Sequence, residues 1–228
     1  MDDLTLAPFD DEPAITATER VFQTLYRAIV TIRLPPGTKV SEAEIARRLN
    51  VSRQPVRDAF FRLSMLGYLS IRPQRATLIT AISDEDVRRA SFIRSALESA
   101  CIRAAAAALT DRDIAALREI LARQGRAVEA DDRDRFHRLD DAFHGEICRI
   151  GGHAYVWPLI DEQKGHMDRV RILSLLQTTR IAFDEHLEIV EALAARDADA
   201  AVQAVTRHIM RIARVLPEIR AAHPRFFD

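Results

Sequence analysis

Cysteine is almost missing from this 228-residue sequence: Cys101 and Cys148 are the only two. They lie far apart and in no metal-type pair, which argues against a disulfide framework and points to a reducing compartment, the cytoplasm. Glycine (7) and proline (9) are scarce while hydrophobic residues reach 48%, which disfavours a turn-rich sheet protein or a disordered chain and favours helix. No run approaches the ~20 apolar residues needed to cross a bilayer. The acidic stretch from Met1 to Pro13 lacks the basic-then-apolar pattern of a signal peptide, so a soluble protein with no membrane partner is expected.

The formal net charge of -1 conceals an asymmetry. Residues 17–80 carry eleven basic against four acidic side chains, a formal +7, which leaves -8 for the rest. A basic module joined to an acidic one suggests that the first meets a polyanion and the second does something else. The length accommodates two cores.

In the basic module, Thr18 is expected to cap a first helix whose apolar face is Val21, Phe22, Leu25, Tyr26 and Ile29, ending before Pro35-Pro36-Gly37. Ser41-Glu42-Ala43-Glu44 reads as a capping box opening a short second helix. Asn50-Val51-Ser52 reads as a turn, with Ser52 capping a third helix that has Pro55 in its first turn. Val56, Phe60 and Leu63 would be the buried stripe of that helix, leaving Ser52, Arg53, Gln54 and Arg57 to face outward near its N-terminus. An arginine fork there can bond guanine O6 and N7 together; taken alone, two surface arginines would more often be a solvated face. The segments Tyr68–Arg72 and Thr77–Ile82 are β-prone and read as a hairpin wing with Arg75 at its tip. Arg75 then either reaches DNA or is merely solvated. Phe61, which the helical period leaves exposed, suggests contact with the second domain or with a partner subunit.

From Ser83 onward every segment has helical period, broken at Thr110-Asp111, Asp131-Asp132, Gly151-Gly152, Thr178-Thr179 and Asp197, so about six helices are expected. Asp140 and His144, four apart, share the apolar stripe of Phe136, Phe143 and Ile147. His186 and His208 fall on apolar stripes of two segments that meet at Arg196-Asp197-Ala198, each eleven residues from Asp197, and antiparallel packing would bring them level. One carboxylate and three imidazoles converging in a bundle core suit a divalent metal, zinc by default and nickel or manganese as alternatives, with coordination positions left open. A single such histidine would more often be a hydrogen-bonded core residue. Asp141 is an alternative ligand to Asp140, being i,i+3 to His144. Arg94 would either clamp an effector carboxylate or pair with Glu98 along its own helix.

The run Ile45-Ala46-Arg47-Arg48-Leu49-Asn50-Val51-Ser52-Arg53-Gln54-Pro55-Val56-Arg57-Asp58-Ala59, preceded by Leu34-Pro35-Pro36-Gly37, resembles the signature of GntR-family regulators, in which the arginines matching Arg53 and Arg57 contact the operator. The pattern Asp140-x3-His144 followed by His186 and His208 resembles the FCD ligand-binding domain of the FadR-type subfamily. That resemblance implies Asp140, His144, His186 and His208 as metal ligands, an antiparallel bundle of six or seven helices, a homodimer, and a small organic acid bound beside the metal. Ala43, Ala76 and His153 depart from the residues common in such relatives (arginine, glycine and asparagine respectively).

The expected architecture is mainly α: a flexible stretch 1–16, a winged helix-turn-helix over 17–82, a helical effector- and metal-binding domain over 83–222, and a tail 223–228. The expected function is a transcription regulator, a repressor rather than an activator, that binds double-stranded DNA at a palindromic operator under effector control. A purely structural metal, or a metal-dependent enzyme fused to a DNA-binding module, are the alternatives. The whole winged-helix module and the lack of an evident general base weigh against an enzyme.

Overall fold

A computed structural model describes residues 16–71, 76–174 and 178–228. Within them the chain forms α1 (Ala17–Val30), β1 (Lys39–Val40), α2 (Glu42–Leu49), α3 (Arg53–Met65), β2 (Leu69–Ser70), β3 (Thr77–Ile79), then α4 (Asp84–Ala108), α5 (Asp111–Glu129), α6 (Arg133–Ile150), α7 (Val156–Leu173), α8 (Thr178–Ala194) and α9 (Ala198–Ala222). This is a winged helix-turn-helix followed by an all-α bundle.

The cap of α1 is Thr16 rather than Thr18: the Thr16 hydroxyl accepts from the Glu19 amide at 3.1 Å, so the helix starts two residues earlier. Ser41 caps α2 as expected, accepting from the Glu44 amide at 3.2 Å. The Glu44 carboxylate reaches forward to Arg48 at 2.7 Å. Asn50 ends α2 in the left-handed region (φ 53°, ψ 50°), a conformation that asparagine tolerates and that makes the turn to α3 tight. Ser52 occupies the N-cap position of α3 without a side-chain cap bond, which leaves its hydroxyl free. Val21, Phe22, Leu25, Val56, Phe60 and Leu63 form the shared core of this module.

The wing strands β2 and β3 pair antiparallel, with Leu69 opposite Ile79, and the sheet gains a strand that sequence periodicity could not reveal, two-residue β1 on the other edge of β3. The turn carrying Arg75 lies outside the described residues.

The expected breaks at Thr110-Asp111, Asp131-Asp132, Gly151-Gly152 and Asp197 separate helices, whereas Thr178-Thr179 lies within the first turn of α8, and Pro158 sits in the first turn of α7. Thr110 and Asp113 form a full capping box at the start of α5, and the short link at Asp197 turns α8 into α9. Gly151 lies where α6 ends against α4. A Cβ there would fall 2.6 Å from the Cys101 carbonyl oxygen and 3.2 Å from the Ala105 amide nitrogen, so glycine alone permits the crossing. Residues 223–228 return to the connector between the modules: the Ile82 amide donates to the Phe226 carbonyl at 2.7 Å, and Phe227 is buried.

Candidate metal centre and nucleic-acid interface

On α3, Val56, Ala59, Phe60 and Leu63 are buried, so the helix can present only its opposite side. Ser52, Arg53, Gln54 and Arg57 are all exposed there. Gln54 Nε2 donates to Asp58 at 2.8 Å, and Arg57 lies 3.4 Å from Glu42. These are loose surface contacts that a stronger acceptor would displace at little cost. Arg53 borders a shallow groove whose rim includes Ala43 and Ala76, so both departures from the usual pattern stand beside the reading helix. Phe61 is 65% exposed, so it does not make the expected contact with the second domain.

In the bundle, Asp140 and His144 of α6, His186 of α8 and His208 of α9 are all buried, and one donor atom from each lies within 4.8 Å of the others. Asp140 takes this place rather than Asp141, whose carboxylate turns away to the Lys164 ammonium at 3.0 Å.

The surroundings of the imidazoles decide which nitrogen is free. Gln124 Nε2 donates to the Leu139 carbonyl at 3.0 Å, which turns its oxygen to His186 Nδ1 at 2.9 Å. His186 must then carry its proton on Nδ1. His208 Nδ1 lies 2.7 Å from the Glu185 carboxylate, which fixes the same tautomer. His186 Nε2 and His208 Nε2 nevertheless stand 3.3 Å apart. Two nitrogens whose protons are committed elsewhere cannot hydrogen-bond each other; they present two lone pairs to a common point, with Asp140 Oδ1 3.4 Å from the first. His144 Nδ1 lies 2.6 Å from Glu98, off the line of a hydrogen bond, and its buried Nε2 has no partner. This donor set fits a divalent cation, with Gln124 and Glu185 as the outer groups that orient the His186 and His208 rings.

Charge favours the same outcome. Burial alone would raise the Asp140 carboxyl, but Arg171 at 2.6 Å and the neighbouring imidazoles hold it well below the usual carboxylate range. Burial and the neighbouring imidazoles push His186 and His208 well down. Asp140 is thus an anion beside the neutral His186 and His208 imidazoles, the state in which each of these donors binds metal.

The metal-free protein should therefore lose stability in mild acid. Unfolded, His186 and His208 take protons near pH 6.5; folded, only well below it. Under pH 6.5 the unfolded state binds more protons, so stability falls as pH falls and is regained as pH rises through this window. Two such groups give a drop of about 2 kcal/mol per pH unit, measurable by urea unfolding at pH 7.5 and 5.5 in chelator. A flat profile over that range contradicts buried neutral imidazoles.

A small pocket, partly open to solvent, reaches Asp140 and His208. Its polar side is Arg94, Arg171 and Arg211; its apolar side includes Phe136, Met167 and Ile212. Arg94 makes the expected pair with Glu98 along its own helix, Nε donating at 2.5 Å, while its buried Nη2 has no partner among the described residues. Arg171 is shared between Asp140 and Asp168, and Arg211 lies 3.2 Å from Glu185. Sequence reasoning missed Arg171 and Arg211, and with them Gln124 and Glu185. Gln124 alone left a trace, since it follows Leu117 and Leu121 on the buried stripe of α5.

Residues 17–79 match the model of bacterial regulatory proteins of the gntR family, and residues 78–211 match the FCD domain. Over 218 residues the chain is 37% identical to the HTH-type transcriptional repressor RspR of Escherichia coli, covering 95% of this chain and 96% of that protein. The Nta operon transcriptional regulator of Aminobacter aminovorans is 29% identical, with 85% and 91% covered. Among solved structures, McbR/YncC of Escherichia coli superposes with a TM-score of 0.75 at 22% identity over 90% of this chain and 99% of that one, a likeness of fold. Among the described residues no helix is long and apolar enough to cross a membrane.

Proposed function

The chain belongs to the gntR family of bacterial regulatory proteins and carries an FCD domain behind its DNA-binding module, and from that premise we propose that it is a repressor whose operator affinity is set by a small carboxylate held at a metal centre in the bundle. That it is a DNA-binding transcriptional regulator follows from the family and from relatives such as RspR. Ser52, Arg53, Gln54 and Arg57 form the reading edge of α3, and a homodimer presents two such edges to the halves of a palindromic site. Arg75 belongs to the same proposal as a wing contact.

Asp140, His144, His186 and His208 hold the cation, zinc by preference for a mixed imidazole and carboxylate set. A bound divalent cation supplies positive charge and open coordination positions at the floor of the cavity. Arg94, with one free nitrogen, and Arg171 and Arg211 supply the forks that orient a carboxylate against that floor, while Phe136, Met167 and Ile212 receive its carbon skeleton. The observation that carries the reading is the pair of unprotonated nitrogens 3.3 Å apart at the base of an arginine-lined cavity.

Thermal-shift screening of zinc-loaded protein against small mono-, di- and tricarboxylates tests it. A matching acid at about one hundred times its Kd adds about 2.7 kcal/mol, a rise of roughly 5–11 °C for a chain of this size. Arg211→Met should lose that rise and keep its zinc. Stabilisation by neutral sugars with none from any carboxylate would refute the effector class.

A further inference from the structure

Helix α7 is unusual in the number of charged and polar side chains it keeps out of water: Lys164, His166, Asp168 and Arg169 are all buried. Their contacts leave the helix in two directions. Toward the bundle, Arg171 Nη1 donates to Asp140 Oδ2 at 2.6 Å and Nη2 to Asp168 Oδ1 at 2.7 Å. Toward the DNA-binding module, Arg169 Nη2 donates to the Thr80 carbonyl at 2.6 Å, and His166 Nε2 lies 2.9 Å from the Leu66 carbonyl with its ring stacked on Tyr68 at 4.4 Å. The Tyr26 hydroxyl donates to the Asp161 carbonyl at 2.8 Å, and Arg62 of α3 pairs with Glu162. Leu66 is the C-cap of α3, the helix that bears Arg53 and Arg57. Thr80 lies in the connector between β3 and α4.

Arg169 is the telling residue. It is fully buried, no carboxylate pairs with it among the described residues, and it holds backbone carbonyls of the connector; its Nε and the hydroxyl of Tyr68 have no partner. Packing alone would be better served by an apolar side chain, since a buried, under-satisfied guanidinium costs stability. What it supplies is direction: a rigid fork that ties the connector to one turn of α7. Gly165 allows the same close seating, because a Cβ there would collide with the hydroxyls of Tyr26 and Tyr68.

We infer that α7 transmits the state of the metal and effector centre to the recognition helix, with Arg171 as the residue that senses it and Arg169 and His166 as positioning residues for the connector and α3. This rests on the ligand-binding role proposed for that centre. A cation drawn to the four donors pulls on Asp140, and an anion in the cavity competes with Asp140 and Asp168 for Arg171. Either one resets the last turn of α7, and the helix carries the shift to Arg169, two residues earlier, and His166, five residues earlier.

Amide hydrogen exchange on the full chain, followed by mass spectrometry, tests the inference. Arg171→Met should speed exchange at least tenfold in peptides spanning 64–70 and 78–82 and leave α5 unchanged. Arg171→Lys, which keeps a donor for Asp140, should restore part of the protection. Zinc added to chelator-treated wild type should slow exchange in α6, α8 and α9 and in the same two peptides. In Arg169→Lys or His166→Gln the slowing should persist in the bundle and vanish from 64–82. Wild-type exchange at 64–82 in Arg171→Met overturns the inference, as does zinc protection confined to the bundle in wild type. Zinc that leaves α6, α8 and α9 unaltered refutes the metal centre instead, and the Arg171→Met comparison still decides the role of α7.

Discussion

Arg53→Ala and Arg57→Ala proteins should each bind the operator about 5- to 150-fold more weakly than wild type, the equivalent of ~1–3 kcal/mol for one lost bidentate arginine–guanine pair. Folding should be unaffected, because both side chains are exposed and the core of α3 is built from Val56, Ala59, Phe60 and Leu63. The double variant should show only the salt-dependent, sequence-independent affinity of a weakly basic surface. An operator selected from genomic fragments with the wild-type protein, then titrated by fluorescence anisotropy at fixed salt, provides the measurement. Wild-type affinity in both single variants would remove α3 as the reading element. An equal loss on specific and random DNA would reassign the arginines to phosphate.

The second large effect concerns the bundle. Stripping divalent metal with a chelator should lower Tm by about 8–16 °C. A cation present at a thousandfold excess over its Kd contributes about 4 kcal/mol, and each kcal/mol moves a chain of this length by roughly 2–4 °C. His186→Ala should melt at the same temperature with and without zinc, since it removes one of the two facing nitrogens. Calorimetry in chelator and in zinc, with metal content measured on the same samples, separates the outcomes. Metal-free wild-type protein with an unchanged Tm on zinc addition would leave the four residues as an ordinary polar core. Below pH 6.5 protonation of the unfolded-state imidazoles would add a loss of its own, so the comparison belongs at pH 7.5, where both imidazoles are neutral in folded and unfolded chain alike.

Much of this was legible from residues alone, for reasons that differ by element. The helix-turn-helix announces itself through local chemistry: the Ser41 cap, the Asn50-Val51-Ser52 turn, Pro55 in a first turn. The four converging side chains could be read because each sits at a polar position on an otherwise apolar helical stripe, and because the turn at Asp197 puts His186 and His208 at matching heights. Helix α7 defied the same logic. Its Lys164, Asp168 and Arg169 look like a solvated face, yet they are inside: Lys164 and Asp168 pair with each other one turn apart, Lys164 also reaches Asp141 of α6, and Arg169 holds the Thr80 carbonyl far away in sequence. Arg171 and Arg211 were hidden for that reason, since pairing across helices leaves no period. Two-residue β1 is too short to carry a pattern, and the cap of α1 moved to Thr16 because two threonines, Thr16 and Thr18, competed for one role.

The crossing at Gly151 sets the spacing of two helices that flank the proposed metal centre. Backbone meets backbone there with no side chain between, so the spacing of α4 and α6 is a hard stop rather than an adjustable cushion. Glu98 stands one turn before Cys101 on one helix and His144 two turns before Gly151 on the other. The separation of the Glu98 carboxylate from the His144 imidazole is therefore set by how α4 seats on α6, and it holds whether or not anything is bound nearby.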